Sequence, residues 1–354
     1  MWDFTENLNT FGFECGLSEY EKELLYLRAR ANGLALCGCG HAAFLCKLAN
    51  SLRGDIGLPK QIEDIDLQTS NVSKKGKSLT VGVLGGGHIG KQLVQVLENT
   101  GLKPSQINVS SRRPEHLEEF VKSGITCYFD NRRLASWADV LFLCCLPSHL
   151  SKVAAELQSH LPMHCLVYSF LSAVPVKRLA QLLGHSFILK PQYNFVPCDS
   201  ANMWLFQGHV AVTLKDPDVI AASCPLANRG GLSLDTKWLI GLLYSLLNMC
   251  TAANVGSPEA IALINQLFQL KGPGAVVFTP NSFVNSSHAS TLTPDESFPW
   301  INIIDSQCKE TPLSCFISRS KVVLDCVSAV YTSVMVGPMK GKNETGQSKN
   351  GTPP

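Results

Sequence analysis

The sequence predicts an α/β protein: a doubly wound, Rossmann-type parallel sheet, then a mostly helical domain, with a helical extension in front. Three observations predict it. Short apolar runs recur at 80–84, 107–110, 126–129, 140–146, 166–170, 186–189 and 209–214, as strands buried on both faces do. Helical patterns alternate with them, at 89–97 and 115–123. A glycine-rich turn joins the first run to the first of these helices.

Length and composition set the frame. A chain of 354 residues exceeds what one core usually serves. The expected units are an N-terminal helical extension and linker at 1–78, a dinucleotide domain at 79–236, a helical domain at 237–336 and a disordered tail at 337–354. A 45% hydrophobic and 16% charged composition excludes global disorder and coiled coil. Thirty Lys and Arg against 28 Asp and Glu give a net charge of +2, so no strong field draws the chain to nucleic acid or to anionic lipid. The longest apolar stretches, 238–247 and 140–146, fall short of the roughly 20 residues that a membrane span requires. The expected partner is a small-molecule substrate, with neither nucleic acid nor membrane.

The fourteen cysteines point to a reducing compartment rather than to disulfides. Met1-Trp2-Asp3-Phe4-Thr5-Glu6 has neither a basic nor an apolar leader segment, and Cys144, Cys145 and Cys165 sit inside apolar runs as small hydrophobes. A cytoplasmic protein is expected. Cys37-Gly38-Cys39-Gly40-His41 with Cys46 lacks the paired spacing of a closed zinc site. No metal is expected.

In the extension, 17–31 reads as a helix with Ser18 as N-cap, and a second helix is expected from His41 to Leu52. A polar linker follows at 68–78. From Lys237 to Leu270 the chain reads as long helical runs, restarted at Gly256-Ser257-Pro258 with Ser257 as N-cap and Pro258 at the first helical position. The first run is apolar on nearly all sides up to Cys250, and such a helix must be buried. Burial against a second copy predicts a homodimer, the commonest closed oligomer. The competing cover is the N-terminal segment of the same chain.

The most informative stretch is Val81-Gly82-Val83-Leu84-Gly85-Gly86-Gly87-His88-Ile89-Gly90. A strand runs into G-x-G-x-x-G (Gly85, Gly87, Gly90) and a helix follows. Gly85 permits the tight turn, Gly87 lets backbone approach a pyrophosphate, and Gly90 allows helix to pack on strand. The helix N-terminus offers unpaired N–H groups to the phosphates. The end of the second strand then chooses the cofactor. An NAD site places Asp or Glu there for the ribose 2′-hydroxyl; here stand Ser110-Ser111-Arg112-Arg113, hydroxyls and guanidiniums suited to a 2′-phosphate. NADP(H) is the expected cofactor. Past the fourth strand, Leu146-Pro147-Ser148-His149 lies at the ligand-binding edge of such a sheet, with Pro147 walling the nicotinamide side and His149 facing the cleft or capping a helix.

These residues carry a resemblance. The stretch from Val81 to Asn194 resembles pyrroline-5-carboxylate reductases and the related NADP-dependent oxidoreductase, coenzyme-F420-type domain. The shared segments are GVLGGGHIGKQL, SSRRPEHLEEF, Ala138-Asp139-Val140-Leu141-Phe142-Leu143 and Leu146-Pro147-Ser148-His149. The resemblance implies a helical dimerisation domain and hydride transfer from NAD(P)H to a cyclic imine carbon, the chemistry of proline biosynthesis. It implies cofactor contacts at Gly85, Gly87, His88, Ile89, Gly90, Ser111, Arg112, Pro147 and His149. It also matches Asn194 to the Asn of the loop after the sixth strand, which makes Asn194 the candidate polar group at the reaction centre. The chain departs from the family after that Asn, where Phe195 and Val196 replace Thr-Pro. The family's glycine-rich helix start is replaced by Asp235-Thr236-Lys237-Trp238. Its imine-binding loop has as nearest counterpart the hydroxyl-rich Ser286-Ser287-His288-Ala289-Ser290-Thr291.

Two functions follow. One is an NADP(H)-dependent oxidoreductase acting on a C=N or C=O carbon, with the cofactor carrying the chemistry and the protein positioning it. The other is a catalytically inactive NADP(H)-binding sensor or scaffold, which the missing substrate elements favour.

Overall fold

The computed structural model describes residues 18–56, 78–196, 201–204, 208–227, 229–270 and 276–336. The tail at 337–354 and all of the predicted linker except Ser78 lie outside these residues. Six strands, β1 (Val81–Leu84), β2 (Ile107–Ser110), β3 (Thr126–Tyr128), β4 (Val140–Leu143), β5 (Leu166–Ser169) and β6 (Ile188–Leu189), form one sheet in the order β3-β2-β1-β4-β5-β6. All neighbours are parallel, and Val81 pairs with Ile107 on one side and Val140 on the other. The strand order reverses between β1 and β4, so their carboxyl ends open a crevice at that edge. A separate antiparallel ribbon joins β7 (Tyr193–Phe195) and β8 (Leu232–Leu234).

Helices follow the strands: α1 (Glu19–Ile56) ahead of the sheet, then α2 (His88–Asn99), α3 (Glu118–Ser123), α4 (Asn131–Trp137), α5 (Leu150–Leu157) and α6 (Val176–Leu183). Beyond the sheet come α7 (Val210–Thr213), α8 (Pro217–Ser223), α9 (Thr236–Ala252), α10 (Ser257–Leu267), α11 (Pro280–Phe283), α12 (Ser286–Ala289), α13 (Ile303–Cys308), α14 (Pro312–Arg319) and α15 (Lys321–Val336). Alternate strand residues face opposite layers. Leu141 and Leu143 pack with Leu134 of α4, Leu150 and Leu157 of α5 and Leu179 of α6. Val81, Val140, Phe142 and Tyr168 face the other way, in one core with Leu93 and Leu97 of α2 and Phe44, Leu48 and Leu52 of α1.

The structure corrects four local expectations. The N-terminal segment holds one helix of 38 residues, not two. It starts at a capping box: the Glu21 N–H donates to Ser18 Oγ (3.3 Å) and the Ser18 N–H to the Glu21 carboxylate (2.9 Å). Gly33, Gly38 and Gly40 do not break it, because each is a point of close approach. A Cβ there would stand 2.6 Å from Leu232 Cδ1, 3.0 Å from Phe170 Cε1 and 2.7 Å from the Tyr331 hydroxyl, respectively. The run at 209–214 is not a strand but the single turn α7. Side chains of α2 take its backbone groups: Gln92 Oε1 accepts from the Val210 N–H (2.9 Å), and Asn99 Nδ2 donates to the Ala211 carbonyl (3.2 Å). The strand at 186–189 shrinks to two residues. At the restart of α10 the N-cap is Gly256, with Ser257 the first helical residue and its hydroxyl donating to the Thr293 carbonyl (3.3 Å).

Helix α9 is buried from Trp238 to Cys250. Its neighbours are α1, α10, α13 and α14 of the same chain, so its burial does not call for a second copy. The far end of α1 is tied to the sheet by the Arg53–Asp139 ion pair (2.6 Å). Burial alone pushes the Asp139 carboxyl up, but hydrogen bonds from Thr80 and Arg53 and the Arg53 charge outweigh it and hold it below the usual range.

A polar cluster sits where α1, α8, α15 and the ribbon meet. His41, 1% exposed, has Nε2 2.8 Å from the Ser223 carbonyl and Nδ1 2.8 Å from the Tyr193 hydroxyl. A carbonyl can only accept, so Nε2 carries the proton and Nδ1 accepts from Tyr193. Burial lowers the His41 pKa to about 4 despite the opposing hydrogen bond to Ser223. The unfolded chain, at roughly 6.5, therefore takes up the proton first as pH falls. The stabilising contribution is complete above that pH and is lost toward pH 4, on the order of 3 kcal/mol. Urea unfolding is expected to show stability falling from pH 7 to 4.5. A His41→Gln chain should show a shallower fall over the same interval, since His185, shifted the same way by burial, remains. Equal slopes in the two chains would refute the assignment.

Candidate functional site

The carboxyl ends of β1, β2 and β4 bring three predicted segments together. Gly85 has φ of +112°, in the left-handed region that favours glycine. Its N–H donates to the Ser110 carbonyl (2.9 Å), and a Cβ there would stand 2.8 Å from the Cys144 carbonyl oxygen. The Cys144 N–H in turn donates to the Leu84 carbonyl (2.8 Å). The turn is thus pinned between β2 and β4. At Gly86 a Cβ would meet Ser111 Oγ at 2.9 Å.

Gly87 and Gly90 serve differently. A Cβ on Gly87 would meet nothing within 4 Å, so that side of the loop is open. Gly87 is also the N-cap of α2, and no side chain caps the helix; its first N–H groups are free to face an anion. His88 is exposed and Ile89 half-buried beside it. A Cβ on Gly90 would fall on the Gly85 carbonyl oxygen, so close packing of helix on turn requires glycine.

Ser111 is held at the end of β2 by its N–H bond to the Tyr128 carbonyl (3.0 Å), and its hydroxyl accepts from the Arg113 N–H (3.3 Å). Arg112 and Arg113 are exposed. Among the described residues neither guanidinium is ion-paired. No carboxylate stands at the tip of β2 to receive a ribose hydroxyl; Asp130, after β3, caps α4 by accepting from the Arg132 and Arg133 N–H groups (3.0 Å each). Sequence reasoning missed Asn131, which secures this end: it accepts from the buried Ser110 hydroxyl (2.7 Å) and donates to Glu156 (2.7 Å).

Past β4, Pro147 opens a single 3-10 turn, Pro147–His149, that leads into α5. Leu146 is 62% exposed. His149 is half-buried, in the N-cap position of α5, without a side-chain cap bond. These groups share the crevice edge of the sheet.

Asn194 stands elsewhere. It lies on the β7–β8 ribbon, opposite Ser233, and is exposed. Its neighbour Phe195 lies under the Arg30 guanidinium, 4.5 Å from the ring centre. The hydroxyl-rich loop is engaged with itself: Ser287 Oγ donates to Asn285, Ser290 Oγ to the Ser287 carbonyl and Thr291 Oγ1 to the His288 carbonyl. The Cys37–Cys46 segment is packed helix. Cys37, Cys39 and Cys46 are buried, with the Cys37 thiol pushed up to about 12 by burial. No group able to hold a metal ion occurs among the described residues, every described cysteine is free, and no described helix is long and apolar enough to cross a membrane.

The geometry fits a dinucleotide: an open glycine at an uncapped helix N-terminus, a pinned turn beneath it, and uncommitted guanidiniums beside it. Residues 80–171 match the family model described as NADP oxidoreductase, coenzyme F420-dependent. A pyrroline-5-carboxylate reductase from Corynebacterium melassecola is 38% identical over 79 residues, covering 22% of this chain and 29% of that protein. Among solved structures, a pyrroline-5-carboxylate reductase from Coxiella burnetii covers 71% of this chain and 98% of its own at 16% identity, with a TM-score of 0.31. The mouse protein called NADP-dependent oxidoreductase domain-containing protein 1 is 40% identical over 342 residues, covering 94% of this chain and 93% of that one. At that identity and coverage, the chain belongs to the family of NADP-dependent oxidoreductase domain proteins.

Proposed function

We propose that the protein is a reductase that uses NADP(H) to reduce a C=N or C=O carbon of a small substrate, a cyclic imine such as pyrroline-5-carboxylate being the first to test. The observation that carries the reading is the N-terminus of α2, without a side-chain cap and with glycine at its N-cap, beside Arg112 and Arg113, which are unpaired among the described residues. The amides of Gly87, His88 and Ile89 would hold the pyrophosphate, with the helix dipole behind them. Ser111, Arg112 and Arg113 would hold the 2′-phosphate through charge-assisted bonds. Bound NADPH supplies the reducing hydride. Pro147 and His149 would border the nicotinamide half and keep water from that side. An iminium carbon is already activated, so the chain needs chiefly to orient the substrate, with Asn194 the proposed polar contact.

The first test is cofactor choice. NADPH is expected to bind more tightly than NADH. In an Arg112→Ala/Arg113→Ala chain NADPH should lose more than tenfold in affinity while NADH changes little, since one charge-assisted contact is worth about 1.5–3 kcal/mol. Equal dissociation constants for the two cofactors in the unaltered chain would sink the assignment. Turnover of pyrroline-5-carboxylate with NADPH then separates a reductase from a sensor. Tight binding without turnover of imine or carbonyl substrates would favour the second reading, a non-catalytic NADP(H)-binding protein. Two observations favour that alternative: Asn194 is exposed on a separate ribbon, and the hydroxyls of Ser287, Ser290 and Thr291 are spent on their own turns.

A further inference from the structure

A small cavity of about 40 Å³ lies at the carboxyl end of β6, lined by Lys190, Gln192, Asp235, Lys237, Trp238 and Gln307 among others. Lys190 is the first residue past β6 and only 8% exposed. Its ammonium makes one hydrogen bond, to the Ser172 carbonyl (2.9 Å), and among the described residues no carboxylate pairs with it. An ammonium has three donors, so two are left for a ligand. Burial depresses its pKa, because a desolvated ammonium is disfavoured. Two neighbouring side chains are engaged with backbone. Asp235 caps α9, its Oδ1 accepting from the Lys237 N–H (2.9 Å), while its own N–H donates to the Gln192 carbonyl (2.9 Å). Gln307 accepts from the Lys190 N–H (3.0 Å) and donates to the Ile188 carbonyl (2.8 Å), which fixes the end of β6. Lys237 is exposed at the rim.

We infer that this cavity, with Lys190 inside and Lys237 at its rim, binds the carboxylate of a small monocarboxylate substrate. Size and charge select that ligand. About 40 Å³ is more than the roughly 10–15 Å³ that one water needs and holds a small head group. Because the Asp235 carboxylate also lines the cavity, a monoanion meets less like-charge repulsion there than a phosphate dianion. Position makes it a substrate subsite. All strands are parallel, so the end of β6 lies on the same edge as the glycine turn after β1, with β4 and β5 between them. Three strand spacings are about 14 Å. Arg112 lies on the β2 side of the turn, so the β4–β6 side is left for the other half of a dinucleotide and for a substrate beyond it. The assignment to substrate rests on the reductase reading above; the anion site itself does not.

Calorimetric titration of the full chain with propionate and with propionamide tests it, with and without saturating NADP⁺. Propionate is expected to bind at least tenfold more tightly than its amide. Lys237→Gln should weaken propionate several-fold, and Lys190→Met should abolish it. Equal binding of acid and amide, or binding of neither, overturns the site, as does a folded Lys190→Met chain that binds propionate normally. If Lys190→Met does not fold, the acid-to-amide ratio and Lys237→Gln decide alone. A cofactor titration on the same samples keeps the two readings apart. NADP(H) binding without propionate binding overturns the subsite and leaves the reductase reading intact. Propionate binding without NADP(H) binding leaves an anion site and overturns its assignment to substrate.

Discussion

A Gly90→Ala chain is expected to lose NADPH affinity by a hundredfold or more, and stability with it. The added methyl would fall on the Gly85 carbonyl oxygen. Both partners are backbone, and neither can swing aside as a side chain could. Either α2 lifts from β1 or the turn opens, and overpacking of this kind costs about 1–3 kcal/mol. Each tenfold loss of affinity corresponds to about 1.4 kcal/mol, and displacing the turn would misplace several phosphate contacts at once. Gly87→Ala provides the contrast. Its φ of −80° suits alanine, and its Cβ would meet no protein atom within 4 Å. Replacing glycine by alanine at an N-cap costs about 1 kcal/mol or less. The methyl instead occupies the space through which a pyrophosphate approaches, so NADPH affinity should fall more than tenfold while unfolding barely changes. Urea unfolding and a fluorescence titration of NADPH, run on both chains, check this. Normal binding by Gly90→Ala, or equal destabilisation by the two substitutions, would show that the turn is not the cradle.

Why these two glycines were legible in the sequence, and Lys190 was not, is a matter of range. The turn after β1 is written in ten consecutive residues, and each glycine answers a constraint within that stretch or one strand away. Strands β1, β2 and β4 were legible for the same reason: continuous apolar runs leave few alternatives. Helix α1 runs on through 32–40, between the two helices expected from the sequence; Gly38 and Gly40 stand in that stretch, and glycine favours no helix when only neighbours along the chain are considered. The reason for those residues, close approach by Phe170 and Tyr331, comes from 130 or more positions away. The turn α7 fails alike. Val210 and Val212 look like a strand, and only the side chains of Gln92 and Asn99 fix their backbone otherwise. The cavity at Lys190 is assembled from β6, the ribbon, α9 and α13, so no local spacing announces it. Asn194 shows the converse. The resemblance expects Asn194 in the loop after the sixth strand, whereas the residue stands exposed on the β7–β8 ribbon, with no side-chain hydrogen bond among the described residues.

A chain that begins at Ser78 is expected not to fold to a soluble, cofactor-binding domain. The six-stranded sheet has the glycine turn and every residue proposed for the cofactor, so on sequence grounds it should stand alone. The packing argues otherwise. Helices α4, α5 and α6 cover one face, whereas the other owes much of its cover to α1. Leu36, Phe44, Leu45, Leu48 and Leu52 of that helix are each 3% exposed or less. Burying a side chain of this size contributes roughly 1.5–3 kcal/mol. Five such losses match the whole net stability of a domain, roughly 5–15 kcal/mol. Removing α1 also uncovers Phe142 and Tyr168 on the sheet and Leu243 and Leu246 of α9, all of them in the same core, and it strands Asp139 without Arg53. The expected product is an aggregate, or a species that pairs through the uncovered apolar surface. Sedimentation of the full and shortened chains at micromolar concentration, with NADPH titrated into each, gives the answer. A shortened chain that stays monomeric and binds NADPH as the full chain does would reduce α1 to an appendage. If the full chain pairs, its interface must lie on a surface other than α9, because the faces of that helix are already covered from within.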